Sequence, residues 1–138
     1  MVLQIETILY YGRYYPFIEN EYGFYWWFSN IDFTIYSVDE LLGRMGFYTY
    51  QDICDSDVFF PLFKTDIVQT EKNFLSERSL LKEFGMYIGG FPDEDAAFKS
   101  FIEKLGLQNQ WFEYERYILR NDAVAWCKKH NIVFDMAT

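Results

Sequence analysis

The chain has 138 residues, 51% of them hydrophobic and 22% aromatic, and a formal net charge of minus 9. That length suits one domain with a continuous core, the apolar content excludes disorder, and no stretch approaches the roughly 18 uncharged apolar residues of a membrane span. The acidic balance disfavours a nucleic-acid backbone as ligand, because such binding needs a basic patch that displaces counterions.

From Leu3 to Tyr36 most residues are β-branched or aromatic, punctuated by Gly12, Pro16, Gly23 and Ser29-Asn30. This predicts several short antiparallel strands, the clearest pair being Phe24 to Phe28 with Asp32 to Tyr36. Ser37 and Glu40 then stand at the N-cap and N3 positions of a capping box, so a short helix through Leu41, Leu42 and Met45 should follow and stop near Gly46. Tyr48 to Asp57 reads as a loop or one helical turn, closed by Pro61. From Asp66 to Phe84 the apolar sets Ile67, Phe74, Leu81 and Val68, Leu75 recur at heptad-like spacing. They predict one helix, or two broken near Ser76, ended by Gly85, Gly89 and Gly90. Pro92 suits the first turn of the next helix, where Asp93, Glu94 and Asp95 lie by the positive end of its dipole. Phe98, Phe101, Ile102 and Leu105 give that helix one apolar face, with Gly106 as C-cap.

The last helix runs from about Asn109 to His130. On a helical wheel Trp111, Phe112, Tyr114, Ile118, Leu119, Ala123, Ala125 and Trp126 gather on one side, opposite Glu113, Arg116, Arg120 and Lys128. Lys128 and Lys129 complement its dipole. Glu115 and Asp122 break the pattern by projecting within the apolar sector. No repeat, low-complexity tract or long linker interrupts the chain. The expected architecture is therefore a single α+β domain over 1–138, with N-terminal antiparallel strands (the acidic, aromatic, β-rich part, 1–57) packed with three to four C-terminal helices (58–138).

The string Trp111-Phe112-Glu113-Tyr114, then Leu119-Arg120, Ala123, Trp126 and Asn131-Ile132, preceded by Ala97-Phe98 and Phe101, resembles an uncharacterised family of small, mostly bacterial, acidic proteins. Phe60-Pro61-Leu62 and the helix from Asp66 look like the same family's middle segment, so the likeness covers roughly residues 58 to 134. It implies no activity and no catalytic residues. The first 57 residues depart from that pattern, as does Asp122, where the family pattern has an apolar residue.

Asp52, Asp55 and Asp57 offer three carboxylates in six residues, the oxygen ligands a hard cation prefers. They lack the glycine and the distal glutamate of an EF-hand loop, and an exposed acidic loop is the ordinary reading. Glu115 and Asp122 invite an acid/base reading, but seven residues separate them, about 10 Å along a helix. Snorkelling to a groove edge, or pairing with a basic side chain such as Lys129 or one from another helix, is the simpler account. His130 is the only histidine and sits beside two lysines at a helix end, where it caps the dipole. Gly89-Gly90 lacks the residues of a phosphate loop. Cys54 and Cys127 form neither a disulfide framework nor a zinc site, and they read as reduced and structural. No cofactor or metal is expected, and catalysis by a familiar mechanism is not the expectation. Met1 to Glu6 show no export-signal pattern, which makes the cytoplasm the expected compartment.

Residues 1–60 hold nine acids against Arg13 and Arg44, and 18 of the 31 aromatic residues. An acidic, ring-rich front suits a cationic protein surface. The candidate protein-binding set is Tyr22, Tyr25, Trp26, Trp27, Asp52, Asp55 and Asp57, with Trp26 and Trp27 sent to opposite faces of a sheet by strand alternation. The leading expectation is thus a non-catalytic interaction protein that binds a basic macromolecular partner, inhibitor-like or immunity-like. The alternatives are a self-associating homodimer that buries its aromatic surplus, and a small-molecule-binding protein or enzyme with an aromatic pocket.

Overall fold

The structure, a computed structural model, describes residues 1–18 and 21–136; Glu19, one of the nine front acids, lies outside them. It is an α+β unit with an antiparallel sheet in its front part and four helices behind. The first residues do not form the expected run of antiparallel strands. Only β1 (Leu3–Gln4) and β2 (Arg13–Tyr14) are extended, and between them lie two 3-10 turns, Ile5–Thr7 and Leu9–Gly12. The reason is visible in the spacing. Ile5, Ile8 and Leu9 are all buried, a spacing of three and four that fits helical turns and conflicts with strict alternation. Each short strand pairs in parallel with a distant one: β1 with β7 (Phe134–Asp135), and β2 with β6 (Thr65–Asp66).

The antiparallel sheet has the order β4-β3-β5, with β3 Trp26–Ser29, β4 Ile35–Ser37 and β5 Phe59–Pro61. The predicted hairpin exists, but both strands begin later than the β-branched and aromatic pattern suggests. Asp32 belongs to the connection, where it accepts hydrogen bonds from the Thr34 N–H (3.2 Å) and the Tyr36 hydroxyl (2.6 Å), and Phe33 sits at φ 55°. The third strand, β5, extends the sheet past residue 57, and Pro61 is tolerated there because β5 is an edge.

Alternation along β3 divides the interior in two. Trp27 joins Val38, Leu41, Ile53 and Phe59 in a small core under the outer helices, while Phe28 enters the main core and meets Trp126 edge-on at 5.2 Å. Trp26 packs on the same side as Phe28, so the two tryptophans do point to opposite faces.

Helix α1 (Val38–Gly43) starts with the expected capping box: the Glu40 N–H donates to Ser37 Oγ at 3.1 Å and the Ser37 N–H to Glu40 Oε1 at 3.2 Å. It ends before Met45. A second box, Thr49 with Asp52, opens α2 (Tyr50–Cys54), the one helical turn of that segment. The next stretch is two helices, α3 (Ile67–Glu77) and α4 (Leu81–Tyr87), separated at Ser79 by a left-handed φ of 59°. That break rotates Leu81 away from the line of Ile67 and Phe74 and leaves it exposed. Gly85 lies inside α4 and does not end it.

Asp93, which accepts from the Ala96 N–H at 2.7 Å, is the N-cap of α5 (Glu94–Lys104), so Pro92 stands one residue outside the first turn. Phe98, Phe101 and Ile102 are buried as expected, whereas Leu105 is 41% exposed because the helix has already ended. Gly106 then takes φ 68°, and the Leu107 N–H reaches back to the Ile102 carbonyl at 2.8 Å. Helix α6 (Gln108–Lys129) buries Trp111, Glu115, Leu119, Ala123, Trp126 and Cys127. Phe112 and Ala125, placed on the apolar side by the wheel, are exposed; the buried stripe runs through Glu115 instead.

Candidate functional site: an acidic lobe beside an aromatic cleft

The small core fixes a lobe made of β3, β4, β5, α1 and α2. Its span, residues 24–61, contains six acids (Asp32, Asp39, Glu40, Asp52, Asp55, Asp57) against Arg44 alone. Several of these carboxylates shape the lobe as well as charging it. Asp39 accepts from the Tyr25 hydroxyl at 2.7 Å, and that bond to an anion holds the phenol proton, raising the Tyr25 pKa above its usual value. Asp32 is held below the usual carboxylate range, first by the Tyr36 hydroxyl. Asp52 closes the cap of α2, and Asp55 accepts from Gln51 Nε2 at 2.9 Å. Asp52, Asp55 and Asp57 are all exposed, and none joins an ion pair among the described residues. Nor do any three His, Cys, Asp or Glu side chains gather as metal ligands among those residues.

Next to this lobe the segments around Tyr11–Ile18, Glu21–Trp26 and Leu62–Lys64 enclose a half-open cleft of about 1050 Å³. Its walls are rings. Trp26 contacts Tyr11 edge-on at 4.9 Å and Tyr25 at 5.0 Å. Tyr22 lies 5.2 Å from Tyr50, the first residue of α2, whose hydroxyl accepts from the Phe24 N–H at 2.8 Å. The ammonium of Lys64 rests 4.7 Å from the Tyr14 ring centre and 4.2 Å from that of Phe24, and donates to the Gly23 carbonyl. Burial lowers the Lys64 pKa, since the charged form loses water there.

Of the seven residues singled out from sequence, Tyr22, Tyr25 and Trp26 line the cleft. Trp27 does not: it is 2% exposed, and its indole N–H donates to the Phe24 carbonyl at 3.0 Å, so it supports the lobe from inside. The three aspartates sit on and after α2, joined to the cleft rim through Tyr50. Sequence reasoning missed Arg13, Tyr14, Phe24 and Lys64. The one available signal was that Arg13 and Lys64 are isolated cations among aromatic residues.

A second polar cluster lies under α3, α5 and α6. Glu71 is 3% exposed and Glu115 is 4% exposed. Burial, then a hydrogen bond with Asp95, pushes the Glu71 carboxyl up to about 10, so it is protonated at neutral pH. Burial also works against the Asp95 charge, but the Glu71 proton and Lys99, 2.9 Å away, outweigh it and hold Asp95 below the usual range. Burial raises Glu115, which faces Arg13 at 3.9 Å rather than Lys129. Asp122 also has its partner in another segment, accepting from the Thr65 hydroxyl at 2.6 Å. The seven-residue pair therefore splits between two neighbours and forms no shared acid/base site.

The remaining candidates have structural surroundings. His130 stacks on Phe60 with ring centres 4.8 Å apart, and burial followed by the Lys129 charge lowers its pKa. Cys127 is buried with its thiol pushed up to about 11, the reverse of what activates a cysteine nucleophile, while Cys54 is exposed. Glu6 faces inward, receiving Arg116 Nη2 at 2.9 Å and Arg120 Nε at 3.1 Å; it ties the first turn to α6 and adds nothing to an acidic surface. No helix among the described residues is long and apolar enough to cross a membrane.

Comparison of the chain with protein-family models, with curated proteins and with solved structures finds no match. The family likeness of residues 58–134 therefore rests on the sequence motif alone.

Proposed function

We propose that this protein is a non-catalytic interaction protein whose acidic lobe docks a basic macromolecular partner. One observation carries the reading: a charge excess of six acids over one arginine falls on a single packed substructure, residues 24–61, rather than being spread around the molecule. Opposite charge on a partner would speed encounter and fix orientation, and the half-buried rings of Tyr22 and Tyr25 beside it supply contact area with little side-chain entropy to lose. Such an interface weakens with salt, because the α2 carboxylates are solvent-exposed and screened.

The test is affinity capture from cell extract at low ionic strength, with the native chain and an Asp52→Asn, Asp55→Asn, Asp57→Asn variant side by side. Asparagine keeps the cap of α2 while removing charge. A basic protein held by the native chain, released by salt and missed by the variant supports the proposal. Identical retention by both chains rules it out. Sedimentation addresses the homodimer alternative, which a concentration-independent monomer would exclude.

A further inference from the structure

The cleft has a chemistry opposite to that of the lobe beside it. Lys64 presents a cation among rings, and among the described residues it makes no ion pair. Arg13 also borders the cleft, but its charge is directed elsewhere. Its guanidinium lies over the Tyr10 ring at 5.1 Å and 3.9 Å from Glu115, and its charge also reaches Asp95. Lys64 is therefore the cation that a ligand would meet in a concave, aromatic-walled volume of about 1050 Å³, at the upper end of small-ligand sites.

The same features narrow the ligand. The place a cationic ligand would take against Tyr14 and Phe24 is filled by the ammonium of Lys64 itself. A multiply charged anion meets Glu21 in the cleft wall, and among the described residues has the single charge of Lys64 to balance it. A planar group with a single negative charge satisfies both the rings and the lysine. We propose that this cleft binds a small aromatic carboxylate, its carboxylate received by Lys64 and its ring packed against Tyr11 and Trp26, the cleft rings that Lys64 does not cover. This inference uses residues distinct from the α2 aspartates and does not rest on the docking proposal.

The experiment titrates the intact protein with 2-naphthoate and, separately, with 2-naphthylmethylammonium, followed by amide NMR shifts. The expected result is saturable naphthoate binding, with shifts centred on Tyr11, Trp26 and Lys64 and an affinity at least roughly tenfold above that of the ammonium. Lys64→Met, which keeps the apolar stem over the rings, should weaken naphthoate by roughly tenfold or more, while Lys64→Arg should retain binding. The Asp52→Asn, Asp55→Asn, Asp57→Asn variant should bind naphthoate as the native chain does, which separates this site from the docking surface. No saturation in the millimolar range, equal binding of the two native-chain probes, or shifts away from the cleft would overturn the proposal.

Discussion

Replacing Glu71 by glutamine is expected to stabilise the protein at neutral pH, by an amount set by one buried proton. In the folded chain the Glu71 carboxyl is raised from 4.5 to about 10, first by burial and then by its hydrogen bond with Asp95. Asp95 Oδ1 is itself buried and has no donor unless Glu71 carries a proton. Between those two values the folded state holds a proton that the unfolded state has released. The stabilisation from this proton is complete below about pH 4.5 and declines by ~1.4 kcal/mol per pH unit as pH rises toward 10. By pH 7, 2.5 units above the ordinary value, roughly 3 kcal/mol has been lost. The glutamine amide offers a donor at the same place without proton exchange. The native chain and Glu71→Gln should therefore be similar near pH 4.5, and the variant should lead by about 3 kcal/mol at pH 7. Urea unfolding at several pH values between 5 and 8, extrapolated to water, measures this difference. Glu71→Leu, with no donor to offer, should lose about 1–3 kcal/mol relative to glutamine. Parallel native and Gln curves across that pH range would mean Glu71 ionises like an exposed acid, and the shared proton would not exist.

Glu6→Gln should destabilise by roughly 1 kcal/mol at neutral pH, a small value because Arg116 and Arg120 are about one-third exposed and water screens both pairs. Burial opposes the Glu6 charge, but the two arginines prevail and hold its pKa low; its contribution is present above the ordinary carboxylate range and lost as pH falls through the lowered value, so native and variant unfolding curves should converge in acid. Asp122→Leu removes the acceptor of the buried Thr65 hydroxyl and should cost about 1–3 kcal/mol, with Thr65→Val recovering much of it in the double variant. Thermal unfolding of the four chains checks this; a Leu substitution that stabilises by itself would show that the bond contributes nothing.

What the sequence made legible was local. Ser37 and Glu40 signal a capping box within four residues, Gly106 signals a helix end, and the tryptophans of β3 point to opposite faces because adjacent strand residues must. What stayed hidden needed partners far along the chain. The parallel pairings of β1 with β7 and β2 with β6 leave no local pattern, and Lys64 reaches a carbonyl 41 residues away. Leu81 and Leu105 obey an apolar period that the helices end or break before honouring. Glu71 reads as one more charge on an amphipathic helix, because its burial depends on the packing of α5 and α6 across it. The candidate site was legible in part for the same reason: composition located acids and rings in the front half, but only the fold separates the rings of the cleft wall from Trp27 in the small core.

The placement of charge sharpens the case for the lobe as the electrostatic pole of the molecule. Residues 62–138 hold twelve acids and ten bases. One of those acids, Glu71, is neutral at pH 7, and Glu115 and Asp95 are turned inward beside Arg13 and Lys99. In the front, Glu6 is compensated by two arginines of α6. The Glu71 proton takes residues 62–138 from minus 2 to minus 1 at pH 7, the ion pairs leave net charge unchanged, and none of these arrangements touches the α2 aspartates. The outward field is therefore more one-sided than the formal charges imply. A basic partner approaching through solvent would feel its strongest attraction toward α2, while a singly charged anion already inside the cleft would be held at short range by Lys64, where contact geometry rather than net charge decides.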